Sequence, residues 1–409
     1  MKSDVVLIQL SDFGLGRGLY LAKALSLLRS EVAIITNKPI YVSGQHPSKV
    51  MLDSNVKVIE FRIPFAKTLY SSILGRLIVY VIFGIFSFGW LLAEKSNPKM
   101  LYSRGPHPFT EIACILYKRF KRDVKIISDV TDLWPDTLEY MNFNGLLKRV
   151  LIATGHAINH LVYAEVDAII TLNEIMAKVL RYRIKRDVHV IYGSIDLDIF
   201  RPINKKDAVE ALPQKFSGLV EGKFVVLYAG IMGAFQNPLI VADIAEQMQN
   251  EHLDVIFLVL GSGPMKQELQ KAVRDRFLKN VLIFDAVPHE LMPFVYNLAD
   301  LTLLPPPVLS VPGMYEYFVL ALPKKFIEYA ACGKPILCFT PPCVSSELCL
   351  RWKAGYHILP KDIAKLREII MVLKENEELR KQLGRNARRM AEEIFSTQHI
   401  ANILKEISL

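Results

Sequence analysis

Short apolar runs closed by turn residues alternate with longer amphipathic stretches along almost the whole chain, the pattern of parallel strands joined by crossover helices. In the first half the runs predict strands at about 5–10, 31–36, 57–61, 100–103, 124–128, 168–171 and 188–191, with helices between them such as 19–29 and 173–181. Periodicity fades over 196–222, a stretch that holds Pro202, Pro213, Gly218 and Gly222. A second alternation follows, with strands at 224–228, 255–260, 281–284, 301–304 and 335–339 and helices near 238–249, 265–277 and 289–298. The expected organisation is a first α/β domain over 1–200, a linker over 201–222 and a second over 223–389, with a C-terminal helix near 390–409 free to pack back on the first. Two doubly wound units in series predict a cleft, because open parallel sheets bind ligands at the carboxyl ends of their strands.

Composition narrows the class. A chain of 409 residues with 51% hydrophobic and 22% charged residues can bury two substantial cores and is not a disordered polymer. Its net charge of +9 is uneven: residues 1–200 hold 25 Lys+Arg against 18 Asp+Glu, a surplus of 7, which leaves 2 for the remainder. Basic residues cluster at Lys118, Arg119, Lys121 and Arg122 and again at Arg181, Arg183, Lys185 and Arg186. Such runs are either solvated helix ends or a surface for anionic phospholipid, the latter worth on the order of 1 kcal/mol per residue. No nucleic-acid motif accompanies them. The five cysteines form no C-x-x-C pair and have no histidine at zinc-ligand spacing, as expected of reduced core residues in an intracellular protein. Residues 77–93 contain one clearly polar member, Ser87, and form a helix that is buried, interfacial or, at the lower length limit, spanning. Strand-like segments on both sides favour the buried or half-buried form. The first residues resemble a strand without a small-residue cleavage site, so no signal peptide is expected.

Candidate chemistry gathers at glycine turns and one acidic helix. Ser11-Asp12-Phe13-Gly14-Leu15-Gly16-Arg17-Gly18 is a glycine-rich turn from the first strand into a helix, where backbone can approach a phosphate and the helix dipole favours an anion. It lacks the full G-x-G-x-x-G of a dinucleotide fingerprint. In the second half, Gly230 and Gly233 follow one strand and Gly261 and Gly263 follow the next; singly each reads as a structural turn, jointly they read as a pocket. Downstream, Pro323-Lys324-Lys325 leads into a helix bearing Glu328, a carboxylate suited to a sugar diol beside lysines suited to a diphosphate.

These residues carry a family resemblance over nearly the whole chain. Asp129-Val130-Thr131-Asp132-Leu133-Trp134-Pro135-Asp136, Ile195 to Pro202, Gly261-Ser262-Gly263-Pro264, Ala286-Val287-Pro288-His289, Leu322-Pro323-Lys324-Lys325-Phe326-Ile327-Glu328-Tyr329 and Cys332-Gly333-Lys334-Pro335 resemble retaining glycosyltransferases of family 4, in the subgroup that builds surface polysaccharides and glycans. The resemblance implies a GT-B fold: two Rossmann-like doubly wound domains facing an interdomain cleft. It implies that Glu328 binds the ribose of a sugar nucleotide, that Lys325 faces the diphosphate, and that Gly14 and Gly16 approach it from the other domain. Gly230, Gly233, Gly261, Gly263, Lys266 and Val287 complete the expected donor site. The acid eight residues before Glu328 is replaced by Leu320, and the family's phosphate-binding Arg and Lys correspond to Ile231 and roughly Gln236, which puts more weight on Lys325. Asp132 stands about where many members place a histidine near the reacting sugar, and His107 is a second candidate; a turn or capping acid remains the alternative for Asp132, and core packing for Trp134.

The expected activity is transfer of a hexose or N-acetylhexosamine from a nucleoside diphosphate sugar, UDP-sugar favoured, to a hydroxyl of a glycan or lipid-linked acceptor, with retention and without a cofactor or obligatory metal. The expected place is the cytoplasm, peripheral on the inner face of the membrane. A sugar-nucleotide epimerase or hydrolase on the same fold, or a membrane-associated scaffold subunit without activity, is the alternative.

Overall fold

The computed structural model describes residues 4–10, 16–28, 30–37, 55–69, 72–105, 108–140, 145–213, 216, 222–250, 254–310 and 313–408. The chain divides into two compact units, Met1–Ser194 with Thr397–Leu409, and Ile195–Ser396.

In chain order the first unit contains β1 (Val5–Gln9), α1 (Gly16–Leu27), β2 (Val32–Asn37), β3 (Val56–Phe61), α2 (Ala66–Leu69), α3 (Ile73–Ala93), β4 (Met100–Gly105), α4 (Phe109–Phe120), β5 (Lys125–Val130), α5 (Gly145–Glu165), β6 (Ala168–Thr171), α6 (Glu174–Ile184) and β7 (His189–Val190). Its parallel sheet has the order β3-β2-β1-β4-β5-β6-β7. Strands β1 and β2 are apolar almost throughout because both faces are covered. Alternation then decides which side each residue serves: Val6 and Ile8 join a core with Val79 and Phe83 of α3, whereas Val5 and Leu7 join one with Leu21 and Leu25 of α1.

The second unit contains α7 (Lys205–Glu210), β8 (Phe224–Ala229), α8 (Leu239–Asn250), β9 (Val255–Leu260), α9 (Lys266–Asp275), β10 (Val281–Phe284), α10 (Met292–Asn297), β11 (Leu301–Leu304), α11 (Met314–Leu320), α12 (Lys324–Ala331), β12 (Ile336–Phe339), α13 (Val344–Arg351), β13 (Gly355–Ile358), α14 (Ile363–Glu375) and α15 (Glu377–Met390). Its parallel sheet runs β10-β9-β8-β11-β12-β13. After a short π-helical turn the chain ends in α16 (Thr397–Ser408), which belongs to the first unit: Ile400, Ala401 and Leu404 are buried in the core shared with α1.

Two expectations change. The described residues of 201–222 pack within the second unit rather than between units, since Ala208, Leu212 and Phe216 are buried there and α7 is capped by Asn204. Spaced apolar anchors without a period conceal that packing from a periodicity search. Residues 355–358, where the alternation predicts no strand, form the edge strand β13 paired to β12.

In each sheet the strand order reverses direction next to the first strand of the unit, between β1 and β4 and between β8 and β11. Ligands bind such sheets at that switch point.

Candidate functional site

In the second unit the site grows from the end of β8 and the start of α12. Pro323 precedes α12 and fixes its entry, so the free N–H groups of the first turn emerge beside Lys324 and Lys325. The Lys325 side chain does not extend into solvent. Its Nζ is sealed, has no hydrogen-bond acceptor among the described residues, and lies 4.1 Å from the centre of the Tyr228 ring on β8. Burial lowers its pKa to about 7 against a smaller upward pull from Glu328. Gly230 is what makes room: its φ is +135°, and a Cβ there would stand 2.5 Å from that Nζ. A second buried donor without a partner among the described residues, Gln236 Nε2, borders the same loop, and the Tyr228 hydroxyl donates to the Ile231 carbonyl at 2.7 Å. Two orphaned donors at one glycine loop are suited to a ligand rich in acceptor oxygens.

Glu328 lies one turn along α12 and is buried. Burial opposes its ionisation, yet hydrogen bonds from His289 and Tyr296 and the charge of Lys324 hold its pKa below the ordinary value. The Tyr296 hydroxyl donates to Oε2 at 2.5 Å, His289 Nε2 is 3.2 Å from Oε1, and Lys324 Nζ is 3.4 Å from Oε1. Those partners come from the loop after β10 and from α10, and Tyr296 is itself braced edge-on by the Tyr329 ring at 5.2 Å. The carboxylate is thus ionised and fixed in orientation.

The first unit holds a separate pocket of about 550 Å³ beyond the end of β5, lined by Asp132, Trp134, His156, Asn159, His160, Tyr163 and Arg183 among others. Residues 156, 159, 160 and 163 fall on one face of α5 by helical spacing. Asp136 gathers His156 at 2.9 Å and Arg183 at 2.6 Å, and Asn159 Nδ2 donates to the Trp134 carbonyl at 2.7 Å. Burial raises the Asp132 pKa to about 6, with Asp136 adding to the rise and a backbone hydrogen bond opposing it. Behind the pocket, burial raises the Glu111 pKa to about 7 although Ser128 and Thr110 donate to it.

Nearer the switch point, Arg17 in the first turn of α1 makes a two-point ion pair with buried Asp129, Nε to Oδ2 at 2.8 Å and Nη2 to Oδ1 at 3.2 Å. Its Nη1 donates to the Tyr192 carbonyl at 2.7 Å. Arg104 donates to Gln9 at 3.1 Å, and its Nε is buried without a partner among the described residues.

Residues 212–390 match the family described as Glycosyl transferases group 1. That stretch contains every residue of the Lys325 and Glu328 site. A D-inositol 3-phosphate glycosyltransferase of Catenulispora acidiphila is 28% identical over 160 residues, 37% of this chain and 34% of that protein. An alpha-D-kanosaminyltransferase of Streptomyces kanamyceticus is 23% identical over 190 residues, 45% and 46% of the two chains. The chain thus matches between 34% and 46% of the length of these curated relatives. Among solved structures, HepE of Anabaena in complex with UDP has a TM-score of 0.68 at 14% identity, over 98% of both chains. At that identity the likeness is one of fold: two parallel-sheet, Rossmann-like α/β domains in the GT-B arrangement of elements.

Of the residues expected at the donor site, Lys325, Glu328 and Gly230 share one place in the structure. Gly261 and Gly263 form the adjoining loop after β9, at φ of +151° and +147°. Gly233 closes a bridge to Gln236, and Val287 lies in the loop that delivers His289. Lys266 departs from expectation: it begins α9, but its ammonium pairs with Asp285, so its charge is already matched. Leu320 is the last residue of α11, and Glu316 is exposed on that helix. Gly16 opens α1, while Gly14 and His107 lie outside the described residues. Sequence reasoning missed Tyr228, His289 and Tyr296 as partners of the two key side chains, and His156, His160 and Arg183 in the first unit's pocket. The polar spacing 156, 159, 160, 163 along α5 is the signal that could have found that pocket.

Proposed function

We propose that the protein is a glycosyltransferase that moves a hexose or N-acetylhexosamine from a nucleoside diphosphate sugar, UDP-sugar favoured, to a hydroxyl of a glycan or lipid-linked acceptor, with retention at the anomeric carbon. One observation carries the donor assignment: within the group 1 region, an ionised, fixed carboxylate lies one helical turn from a buried ammonium that has no hydrogen-bond acceptor among the described residues. A nucleoside diphosphate supplies what both need, a ribose diol for Glu328 and a diphosphate for Lys325 and the first turn of α12. The UDP and UDP-glucose complexes of HepE support uridine as the base.

In the reaction the bond between the anomeric carbon and the β-phosphate oxygen breaks, and the nucleoside diphosphate leaves with the electron pair. The acceptor oxygen forms the new bond, and its proton departs with the diphosphate. Lys325 and the N–H groups of α12 stabilise the charge that develops on the leaving group, a preorganised electrostatic role. Asp132, in the first unit's pocket, orients the acceptor hydroxyl as a carboxylate. Trp134 offers a ring for a sugar face. An acceptor carried on lipid places the enzyme in the cytoplasm on the inner face of the membrane.

A thermal-shift series with UDP-, GDP- and ADP-sugars tests the donor assignment. One nucleotide class should stabilise the protein, by about 2.7 kcal/mol at a hundred times its Kd, and Glu328→Ala should abolish the shift. If no sugar nucleotide raises the Tm, the donor site is wrong. Full-rate turnover of the sugar nucleotide without acceptor would instead make the protein a hydrolase or epimerase.

A further inference from the structure

Helix α3 inverts the ordinary rule for a surface helix. It carries no charged side chain between Arg76 and Glu94, yet Leu74, Leu77, Ile78, Ile85 and Leu92 project outward, with Leu74 and Ile85 each 67% exposed. Its one hydroxyl residue in that span besides Tyr80, Ser87, faces the core and donates back to the Phe83 carbonyl at 2.8 Å. A soluble helix places charge outward and apolar groups inward. Here both faces are apolar, and the outer one forms a continuous stripe at helical spacing.

The stripe continues onto α4 through exposed Leu116 and Phe120; the Phe120 ring lies 6.2 Å from that of Phe88 on α3. Cations border it there. Lys118 and Arg119 are paired with Asp167 and Glu165, whereas Lys121 and Arg122 are exposed and have no ion pair among the described residues. An apolar strip with an unmatched basic border is complementary to acyl chains beneath anionic headgroups. A second copy of this chain would present the same cations to the border and match none of them.

We propose that the outward stripe of α3, extended by Leu116 and Phe120 and bordered by Lys121 and Arg122, is a docking surface for an anionic phospholipid leaflet, with the helix lying in the membrane plane. A span is incompatible with the inner face of the same helix, where Val79, Phe83 and Leu91 are fully buried in the core that covers the sheet. The inference deepens the transferase reading by supplying the surface at which a lipid-linked acceptor would be met.

Flotation of the full chain with phosphatidylcholine vesicles, with and without phosphatidylglycerol, tests it. The protein should float with the anionic vesicles and be released by high salt. Ile78→Gln with Ile85→Gln should lower partitioning at least about tenfold through lost apolar burial. Lys121→Gln with Arg122→Gln should lower it roughly 25-fold, about fivefold per cation. Unchanged far-ultraviolet circular dichroism and an unchanged thermal shift with sugar nucleotide would show that fold and donor site are intact, which separates failure here from failure of the transferase reading. No flotation of the parent protein, flotation indifferent to the α3 pair, or retention after alkaline wash would each overturn the proposal. So would a dimer in sedimentation that Ile85→Gln converts to monomer, since the stripe would then be covered by a second copy.

Discussion

Arg17 and Lys325 occupy corresponding places, each near the N-terminus of a helix beside the carboxyl end of its unit's first strand, and they are treated in opposite ways. Arg17 is matched on every side, by both oxygens of Asp129 and by the Tyr192 carbonyl. Lys325 is buried against an aromatic ring with no hydrogen-bond acceptor among the described residues. A buried cation with its counter-ion in place is part of the scaffold, whereas one without its counter-ion has been left for something that arrives. By that measure the second unit's switch point is the candidate ligand site and the Arg17 corner of the first is scaffold. The first unit's open chemistry lies further out, in the Asp132 pocket.

The contrast is broken most directly by removing each cation. Arg17→Ala leaves Asp129 charged and buried, and should destabilise the protein by about 3–5 kcal/mol. Urea unfolding measures it, with sugar-nucleotide affinity of the folded fraction unchanged. Lys325→Met removes an unmatched charge and should leave stability equal or higher while donor binding is lost. Equal destabilisation by both would erase the distinction.

A smaller effect is expected at Asp132. Asp132→Asn should lower acceptor-dependent turnover by about a hundredfold and leave donor affinity alone. In the parent protein that turnover should fall as pH drops through about 6, where the raised pKa protonates the carboxylate. The same shift has a stability sign. A carboxyl with a folded pKa above its unfolded value is penalised once ionised, so Asp132→Asn should raise stability at pH 8 and not at pH 3. An acid limb that persists in Asp132→Asn would assign it to another group.

Much of the scaffold was legible because parallel strands covered on both faces leave continuous apolar runs: 5–10 and 224–228 read as strands and form β1 and β8 within a residue or two. What escaped depends on partners distant in sequence. Lys266 looks like a free cation until Asp285, nineteen residues on, is placed beside it. Phe216 looks like part of a linker until its ring meets Phe284 at 4.7 Å. Glu328 and Lys325 could be named from their local pattern, since a helix entered through proline defines their neighbourhood. Their condition could not: ionisation of Glu328 depends on His289 and Tyr296, thirty-nine and thirty-two residues away, and orphaning of Lys325 on a ring of β8 and the glycine that follows that strand.

That orphaning predicts how donor affinity should change with pH. Burial lowers the Lys325 pKa to about 7 from an unfolded value of 10.5, so between these limits the unfolded chain binds the extra proton. Stability therefore rises with pH across that window, and the full penalty of the buried charge is present below about 7. Lys325→Met should gain most stability at pH 6.5 and least near pH 10. Donor binding runs the other way. A diphosphate favours the ammonium, so apparent affinity should decline above pH 7 by up to about tenfold per unit, with one proton taken up on binding. Calorimetry in two buffers of different ionisation enthalpy reads that proton directly. The sugar nucleotide is the right probe because each of its phosphates is doubly substituted, by one ester and the shared anhydride bond, and does not titrate near neutrality, unlike the terminal phosphate of a free nucleoside diphosphate. Affinity that stays flat from pH 6.5 to 8.5, with heats independent of buffer, would mean that Lys325 does not face the diphosphate. The site would then have to bind its anion through the N–H groups of α12 and Lys324 alone.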